Sequence, residues 1–288
     1  MGNKNITSPY STFKWQMNYD NSETYERYIV PTWMTDLTSD LINAGGVCPK
    51  KRVLDVACGT GIVARKAAGI VGPYGRIAAV DLNEGMLRVA GKCAEHEGVN
   101  GIEWYHSDVT SMPFMAGEFD TVLCQQGLQF FPDKATALQE MKRVLTPQGT
   151  LALNVWGRPE NSPHVGVICD VFTEYFGEDS TIIFRAACSL SNPRELRNLV
   201  EEAGFSNIQI RSGMKIARHP SLTEFLPAYF SIFPIAAQIA AMPEEERTRM
   251  FQSIETNLAG WRENDGFAIP TENYTLTAET GNSSSPGE

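Results

Sequence analysis

Short apolar runs alternate with segments of helical apolar spacing over the middle of the chain. The runs lie at 52–57, 76–81, 101–107, 119–125 and 149–156. Between them, apolar residues recur every three or four positions at 61–71, 84–96 and 133–145. Strands that alternate with helices form parallel sheets with crossover helices on both faces. The pattern therefore predicts an α/β fold with a doubly wound, mostly parallel sheet.

The segments on either side of this alternation have a different pattern. At 21–41 the apolar spacing predicts an amphipathic helix, which Pro31 should enter early or break in two. Aromatic residues recur at helical spacing at 222–233, and 207–211 and 274–278 are strand candidates. We therefore expect four parts: an N-terminal helical cover at 1–45, a sheet domain at 46–212 and 271–279, a helical lid at 213–270 and a disordered tail at 280–288.

Composition and charge narrow the class of protein. The 288 residues carry 34 acidic and 24 basic side chains, a formal net charge of −10. An acidic chain without a basic patch is poorly suited to nucleic acid or to an anionic membrane. The first residues lack an apolar leader, and the longest apolar run, at 229–242, is too short for a bilayer. We expect a cytoplasmic protein that acts on a small molecule.

Six cysteines are scattered along the chain without a C-x-x-C pair. Structural zinc sites and redox dithiols use such pairs, so neither is predicted. We expect free thiols in a reducing compartment and no metal site.

A glycine-rich turn follows the first strand. Val53–Gly61 reads V-L-D-V-A-C-G-T-G and leads into the helical stretch 61–71. Glycines let a ligand approach the backbone, and the start of a helix offers N–H donors, so this turn suits a nucleotide-like ligand. Asp55 would repel a phosphate, whereas it would attract a ligand that carries an ammonium and a sulfonium group.

Two further acidic residues follow the next strands. Asp81 ends the strand A-A-V-D, where doubly wound folds place an acid that accepts hydrogen bonds from a ribose. Asp108 ends the third strand, where a carboxylate can accept a bond from an adenine amino group. The glycine spacing also fits the dinucleotide fingerprint, so an NAD(P)-dependent oxidoreductase is the alternative. Asp55, Asp108 and the lack of a Tyr-x-x-x-Lys pair after the fourth strand disfavour it.

The glycine-rich turn resembles the first motif of the class I S-adenosylmethionine-dependent methyltransferases. The later stretches F-D-T-V-L-C-Q-Q-G-L-Q-F-F-P-D and V-L-T-P-Q-G-T-L resemble the small-molecule branch of the ubiquinone/menaquinone-biosynthesis type, which is methyltransferase type 11-like. The resemblance covers 50–156 closely and 190–212 loosely. It implies a seven-stranded Rossmann-like domain, S-adenosylmethionine as cofactor and methyl transfer to a small, fairly apolar acceptor.

Position by position, the resemblance implies three groups of cofactor contacts. The methionine part would lie against the glycine-rich turn, at Asp55, Ala57, Cys58, Gly59, Thr60 and Gly61. The ribose and adenine would lie at the next two strand ends, against Asp81, Leu82, Met86, Asp108 and Val109. The sulfonium would lie beside Gln125 at the end of the fourth strand.

Methyl transfer is an in-line displacement of a good, neutral leaving group. Positioning of the nucleophile can supply roughly 7–11 kcal/mol, and a general base is needed only for a protonated nucleophile. His164, after the fifth strand, is the candidate base, with an ordinary loop histidine as the alternative. Candidate acceptor contacts, which could instead be simple packing, are Tyr25, Tyr28, Gln126, Gln129, Tyr229 and Phe230. A non-catalytic protein that binds the cofactor is the third hypothesis.

Overall fold

The fold is that of a computed structural model, which describes residues 19–219, 221–264 and 266–281. Its strands are β1 (Arg52–Val56), β2 (Arg76–Asp81), β3 (Ile102–His106), β4 (Phe119–Gln125), β5 (Leu145–Trp156), β6 (Ser206–His219), β7 (Arg262–Glu263) and β8 (Gly266–Glu279). They form one sheet in the order β3-β2-β1-β4-β5-β8-β6, with β7 paired to β8. The pairs among β1 to β5 are parallel, whereas β8 lies antiparallel between β5 and β6. The predicted α/β fold is confirmed, and the strand beyond the expected seven is the two-residue β7.

Eleven α-helices accompany the sheet in the described part of the chain. They are α1 (Tyr19–Thr24), α2 (Thr35–Ala44), α3 (Ile62–Val71), α4 (Glu84–His96), α5 (Lys134–Val144), α6 (Pro163–Phe176), α7 (Ile182–Ala187), α8 (Pro193–Glu202), α9 (Leu222–Ser231), α10 (Ala236–Ala241) and α11 (Glu244–Asn257). Side-chain caps start several of them. Asn83 accepts a bond from Met86 N at the start of α4, and Asn192 accepts one from Arg194 N at the start of α8.

The sheet buries apolar side chains on both faces because strand residues point alternately to opposite sides. In β1, Val53 faces a cluster formed with α2 and α3, which includes Leu41 and Ala67. Leu54 faces the opposite cluster, formed with α5 and α8, which includes Leu138. The helices therefore cover both faces, as expected for parallel strands joined by crossover helices.

A third apolar cluster lies beyond the carboxyl ends of the strands. It joins the N-terminal segment to α6, α7 and the helices α9–α11, and its buried members include Trp33, Phe172, Phe230 and Met250. The packing of aromatic rings is dense there: Phe172 and Phe230 lie 4.7 Å apart between ring centroids. This cluster holds the N-terminal segment and the helices α9–α11 against each other near the carboxyl ends of the strands.

The N-terminal segment is helical from 19 to 44, but its middle third, Tyr25–Met34, is a π-helix. Pro31 lies inside it and has no N–H to donate. The Thr35 N–H and hydroxyl both bond to the carbonyl of Val30, five residues back. Pro31 is therefore accommodated in a widened helix and does not break it. Such wide turns are frequent at functional sites.

Some elements differ in extent from the sequence-based expectation. β6 and β8 are each 14 residues long and take the ends of the stretch 213–270, so the helices between them begin at Leu222. The helices α6 and α7 are not predicted by the apolar spacing. The expectations for 1–18 and for 282–288 lie outside the described residues. Within the described ranges, no helix is both long and apolar enough to cross a membrane.

Candidate functional site

The carboxyl ends of β1, β2, β4 and β5 open into one cavity of about 710 Å³. The sheet order reverses between β1 and β4, and doubly wound sheets bind their ligands at this point. A smaller cavity of about 30 Å³ adjoins the glycine-rich turn and shares Tyr25, Ala57, Gly59 and Gln125 with the large one. The two cavities form the candidate site.

The glycine-rich turn has a strained backbone that leaves room on the cavity side. Ala57, Gly59 and Gly61 have φ of 53°, 54° and 82°. A Cβ on Gly59 would meet no atom within 4 Å, whereas a Cβ on Gly61 would lie 2.5 Å from Trp104 Cη2. Gly59 thus keeps the cavity open, while Gly61 allows the turn to pack on β3.

Asp81 fixes the turn to the end of β2. One carboxylate oxygen accepts a bond from Gly59 N at 2.8 Å, and the other accepts one from Asn83 N at 2.8 Å. Burial raises the pKa of the Asp81 carboxyl, and these two backbone bonds oppose that rise. The Asp81 carboxylate lines the large cavity, and the sequence predicts that a ribose binds to it.

Asp55 lies deeper, against the small cavity, and is 1% exposed. Its Oδ2 accepts a bond from Ala64 N at 3.0 Å, which caps the first turn of α3. Its Oδ1 is buried and has no partner, and the same is true of the hydroxyl of Thr60 in the same cavity. Burial, with a smaller contribution from Asp81, raises the pKa of Asp55 to about 8. A cationic group placed here would gain an unused acceptor and would favour the ionised form of Asp55, which lowers its pKa.

Asp108 follows β3 and is exposed. Its Oδ1 accepts bonds from the backbone N–H and the hydroxyl of Thr110, at 2.8 and 2.7 Å. Asp108 lines the large cavity together with Val109, Leu82 and Met86. The four predicted adenine contacts therefore lie on the same cavity as Asp81.

The end of β4 connects the site to the N-terminal segment. Gln125 lines both cavities, and its amide is already bonded: it accepts from the Thr38 hydroxyl and donates to the Met34 carbonyl. Gln126, with φ of 53°, lines the large cavity. Gln129 is fully buried and donates to Gln126 Oε1 at 2.9 Å, so it supports Gln126 from behind.

A buried ion pair also holds the N-terminal segment to the glycine-rich turn. Arg65 of α3, whose side chain is 1% exposed, contacts Glu26 at 2.7 Å and Glu97 at 3.1 Å. Arg65 also donates to the carbonyl of Thr60. This arrangement places Tyr25, next to Glu26, over the small cavity. Burial raises the pKa of the Tyr25 phenol.

The far half of the large cavity has an aromatic wall. Its lining includes Trp33, Trp156, Phe184, Tyr229 and Phe233. Trp33 stacks against His164 at 5.8 Å between ring centroids and packs on Tyr229 at 5.3 Å. Burial, with a smaller effect of His219, lowers the pKa of His164 to about 4. His164 is therefore neutral at physiological pH.

Of the predicted acceptor contacts, the structure brings Tyr25, Gln126 and Tyr229 to the large cavity. Tyr28, Gln129 and Phe230 do not line it. Phe230 is 1% exposed and packs behind the wall, on Phe172. Phe230 followed the same helical spacing as Tyr229, but adjacent residues of a helix face different directions.

Other lining residues are not identifiable from sequence. Trp33 belongs to a predicted helix, but only the packing of that helix over the strand ends brings its indole to the cavity. Thr271 lies on β8, which follows the helices α9–α11 in the chain and lies in the sheet between β5 and β6. No local motif signals either residue, because their positions depend on long-range topology.

The large cavity has acidic side chains at the end next to β2 and β3. Asp81 and Asp108 line that end, while no lysine or arginine lines the large cavity among the described residues. The aromatic half therefore suits an uncharged molecule, since a buried charge without a partner is strongly unfavourable.

Comparison with known proteins gives a consistent result. The family described as methyltransferase domain matches residues 54–153. A ubiquinone/menaquinone biosynthesis C-methyltransferase of Ectopseudomonas mendocina is 38% identical over 136 residues, which are 47% of this chain and 53% of the relative. The chain thus spans about half the length of that relative. A demethylmenaquinone methyltransferase of Staphylococcus aureus is 30% identical over 204 residues, 67% of this chain and 81% of the relative.

A solved structure shares the fold. Phosphoethanolamine N-methyltransferase 2 of Haemonchus contortus, in complex with phosphomonomethylethanolamine and S-adenosylhomocysteine, superposes with a TM-score of 0.58. The two are 17% identical, and the match covers 91% of this chain and 57% of that one. At this identity the likeness concerns the fold alone.

Proposed function

The chain belongs to the family of S-adenosylmethionine-dependent methyltransferases, and we propose that it transfers the methyl group of S-adenosylmethionine to a small, fairly apolar acceptor. The roles of individual site residues are part of the same proposal. All six cysteines are free thiols. A cytoplasmic location stays a prediction.

One observation carries the proposal. Three carboxylates at successive strand ends, Asp55, Asp81 and Asp108, lie along two adjoining cavities that continue into an aromatic chamber. A cationic sulfonium ligand with a ribose and an adenine needs acceptors in this order, and its methyl group must then face an apolar space. A dinucleotide would instead bring its pyrophosphate toward the buried Asp55.

The residues present fit S-adenosylmethionine. Asp55 Oδ1 and the Thr60 hydroxyl are buried without partners, so the amino acid part of the ligand can bond to them. Asp81 would accept hydrogen bonds from the ribose hydroxyls, Asp108 would accept one from the adenine amino group, and Met86 would pack on the ring. When bound, the cofactor supplies a methyl group on a cationic sulfur.

The chain contributes position and exclusion of water. Gln125 and Gln126 line the cavity where the sulfonium would lie, and Tyr25, from the N-terminal segment, covers the small cavity. The aromatic half holds the nucleophile in line, which can supply roughly 7–11 kcal/mol of the barrier reduction. His164 is a poor general base, because a nitrogen whose pKa is about 4 retains a proton weakly.

We take the acceptor to be a quinone-type small molecule in its reduced form. The names of the relatives support this choice. The aromatic wall supports it independently, since a flat apolar ring can pack between Trp33, Phe184 and Tyr229. The comparisons give no support to an oxidoreductase or to a non-catalytic binder.

Calorimetric titration of the same preparation with S-adenosylhomocysteine and with NAD⁺ tests the proposed cofactor. We expect saturable binding of S-adenosylhomocysteine at one site and no heat from NAD⁺. Asp108→Asn, which keeps the bond from Thr110 but removes the charge, serves as a second preparation with weaker binding. Tight NAD⁺ binding without any response to S-adenosylhomocysteine would overturn the proposal.

A further inference from the structure

The apolar half of the large cavity contains polar groups that the structure leaves without partners. His164 Nδ1 and the Thr271 hydroxyl are both buried and form no hydrogen bond in the described structure. Both residues line the cavity. Trp33 Nε1 and Gln126 Nε2 also lie on this cavity, buried and without a partner. Buried polar atoms are normally hydrogen-bonded, so such atoms on one largely apolar cavity need an explanation.

Backbone and side-chain bonds join the two segments that carry these residues. His164 is the second residue of α6, and Thr271 lies on β8. Ser162, just before α6, accepts a bond from Glu272 N at 3.0 Å, and Gly157 N donates to the Glu272 carbonyl at 2.8 Å. The loop after β5 is thus fixed to β8 beside Thr271. Ser162 lies two residues before His164, and Glu272 follows Thr271, so this bond links the two segments that carry the unpartnered atoms; we call the two residues together the His164–Thr271 site.

Both side chains can turn toward a ligand. The torsion that orients an imidazole is broad, and a threonine hydroxyl moves by one rotation. Neutral imidazole offers one acceptor nitrogen and one donor, and a hydroxyl offers both functions. The pair therefore matches a group that donates one hydrogen bond and accepts another.

Charge limits what that group can be. His164 is neutral, because burial keeps the pKa of its imidazole near 4. No basic residue lines the cavity in the described ranges, so a phosphate or carboxylate would find no partner. Among the described residues, the aromatic half also has no carboxylate that could pair with an ammonium group, since Asp81 and Asp108 lie at the end of the cavity next to β2 and β3.

We propose that the His164–Thr271 site recognises a hydroxyl group on an uncharged, ring-bearing acceptor and thereby sets the specificity of the cavity. This inference rests on the proposed function, because it takes the aromatic half as the acceptor site. His164 Nδ1 accepts a hydrogen bond from this hydroxyl and keeps the acceptor oriented. The hydroxyl keeps its proton in this bound state, so His164 acts as a specificity residue and not as the base.

The test uses two probes that differ only in the hydroxyl hydrogen, 4-butylphenol and its methyl ether, 4-butylanisole. Each is titrated by calorimetry into protein saturated with S-adenosylhomocysteine. The wild type should bind the phenol at least about tenfold more tightly than the ether, since sites built around a hydroxyl strongly reject analogues without it.

Four variants locate the preference. His164→Phe and Thr271→Val remove one polar atom each with little change of volume, and should bring the ratio close to one. His164→Asn keeps a side-chain acceptor at the Nδ1 position and should restore much of the preference. Ile183→Val, an apolar change on the same wall, should leave the ratio unchanged. The affinity for S-adenosylhomocysteine should be the same in all four variants.

The inference is overturned if the wild type binds both probes equally or binds neither, or if the preference persists in His164→Phe and Thr271→Val. Failure of the proposed function gives a different result, namely no binding of S-adenosylhomocysteine. In that case the two probes are titrated alone, and their ratio in the wild type and in the variants still decides the inference.

Discussion

Gly59→Ala and Gly61→Ala should separate ligand binding from stability, although the two glycines belong to the same turn. Both have positive φ, 54° and 82°, where an L residue costs roughly 1–2 kcal/mol. A new methyl group at Gly59 meets nothing within 4 Å, so the free energy of unfolding should fall by about that amount alone. At Gly61 the methyl would lie 2.5 Å from Trp104 Cη2 and 3.2 Å from Ala90 Cβ. Such overpacking adds about 1–3 kcal/mol.

Gly98→Ala is the matched control, because Gly98 has φ of 68°, open space around it and no place on either cavity. Urea unfolding should give similar losses for Gly98→Ala and Gly59→Ala, and a clearly larger loss for Gly61→Ala. In calorimetry, Gly59→Ala alone should bind S-adenosylhomocysteine at least about tenfold more weakly. Normal binding by Gly59→Ala, or a Gly61→Ala protein as stable as the control, would refute this account of the turn.

Four other variants test separate parts of the site. Asp81→Ala should weaken S-adenosylhomocysteine binding at least about tenfold in calorimetry, because hydrogen bonds to a charged group contribute roughly 1.5–3 kcal/mol each; an unchanged dissociation constant would move the ribose contact elsewhere. Burial raises the pKa of Asp55 from 3.8 to about 8 in the folded protein. Between these two pH values the native state binds more protons than the unfolded state, so the free energy of unfolding should fall as the pH rises. In urea unfolding at pH 5.5 and 7.5, the free energy of unfolding should differ less between the two pH values for Asp55→Asn than for the wild type. An equal difference in both proteins would contradict the raised pKa of Asp55. Tyr229→Ala should weaken 4-butylphenol binding and leave the affinity for S-adenosylhomocysteine unchanged. Phe230→Ala should mainly lower the free energy of unfolding, by about 3–5 kcal/mol. The reverse pattern would mean that Phe230, and not Tyr229, lines the aromatic wall.

Much of the sheet is predictable from the sequence, since its strands are short apolar runs bounded by glycine, proline and acidic residues. β2 and β4 have the predicted bounds, and β1 differs by one residue. The convergence of the acidic residues at the strand ends is predictable as well, because strand ends in a doubly wound sheet meet at one edge.

The remaining elements depend on tertiary contacts. α6 contains Val165, Val167 and Ile168, which favour strands, together with Gly166, so its local preference does not indicate a helix. β6 continues past Gly213 only because β8 pairs with it along most of its length. The aromatic half of the cavity, including Trp33 and Thr271, arises from this same late strand and from the N-terminal segment, so no local pattern could predict it.

A single-turnover reaction tests the proposed methyl transfer most directly. The protein is mixed in excess with methyl-tritiated S-adenosylmethionine and a reduced 2-alkyl-1,4-naphthoquinone, and the organic phase is extracted over time. The account predicts labelled product in the organic phase, equal in amount to the S-adenosylhomocysteine formed, and a rate lowered by Asp81→Ala at subsaturating cofactor. Full binding of both ligands without any transfer of label would contradict it.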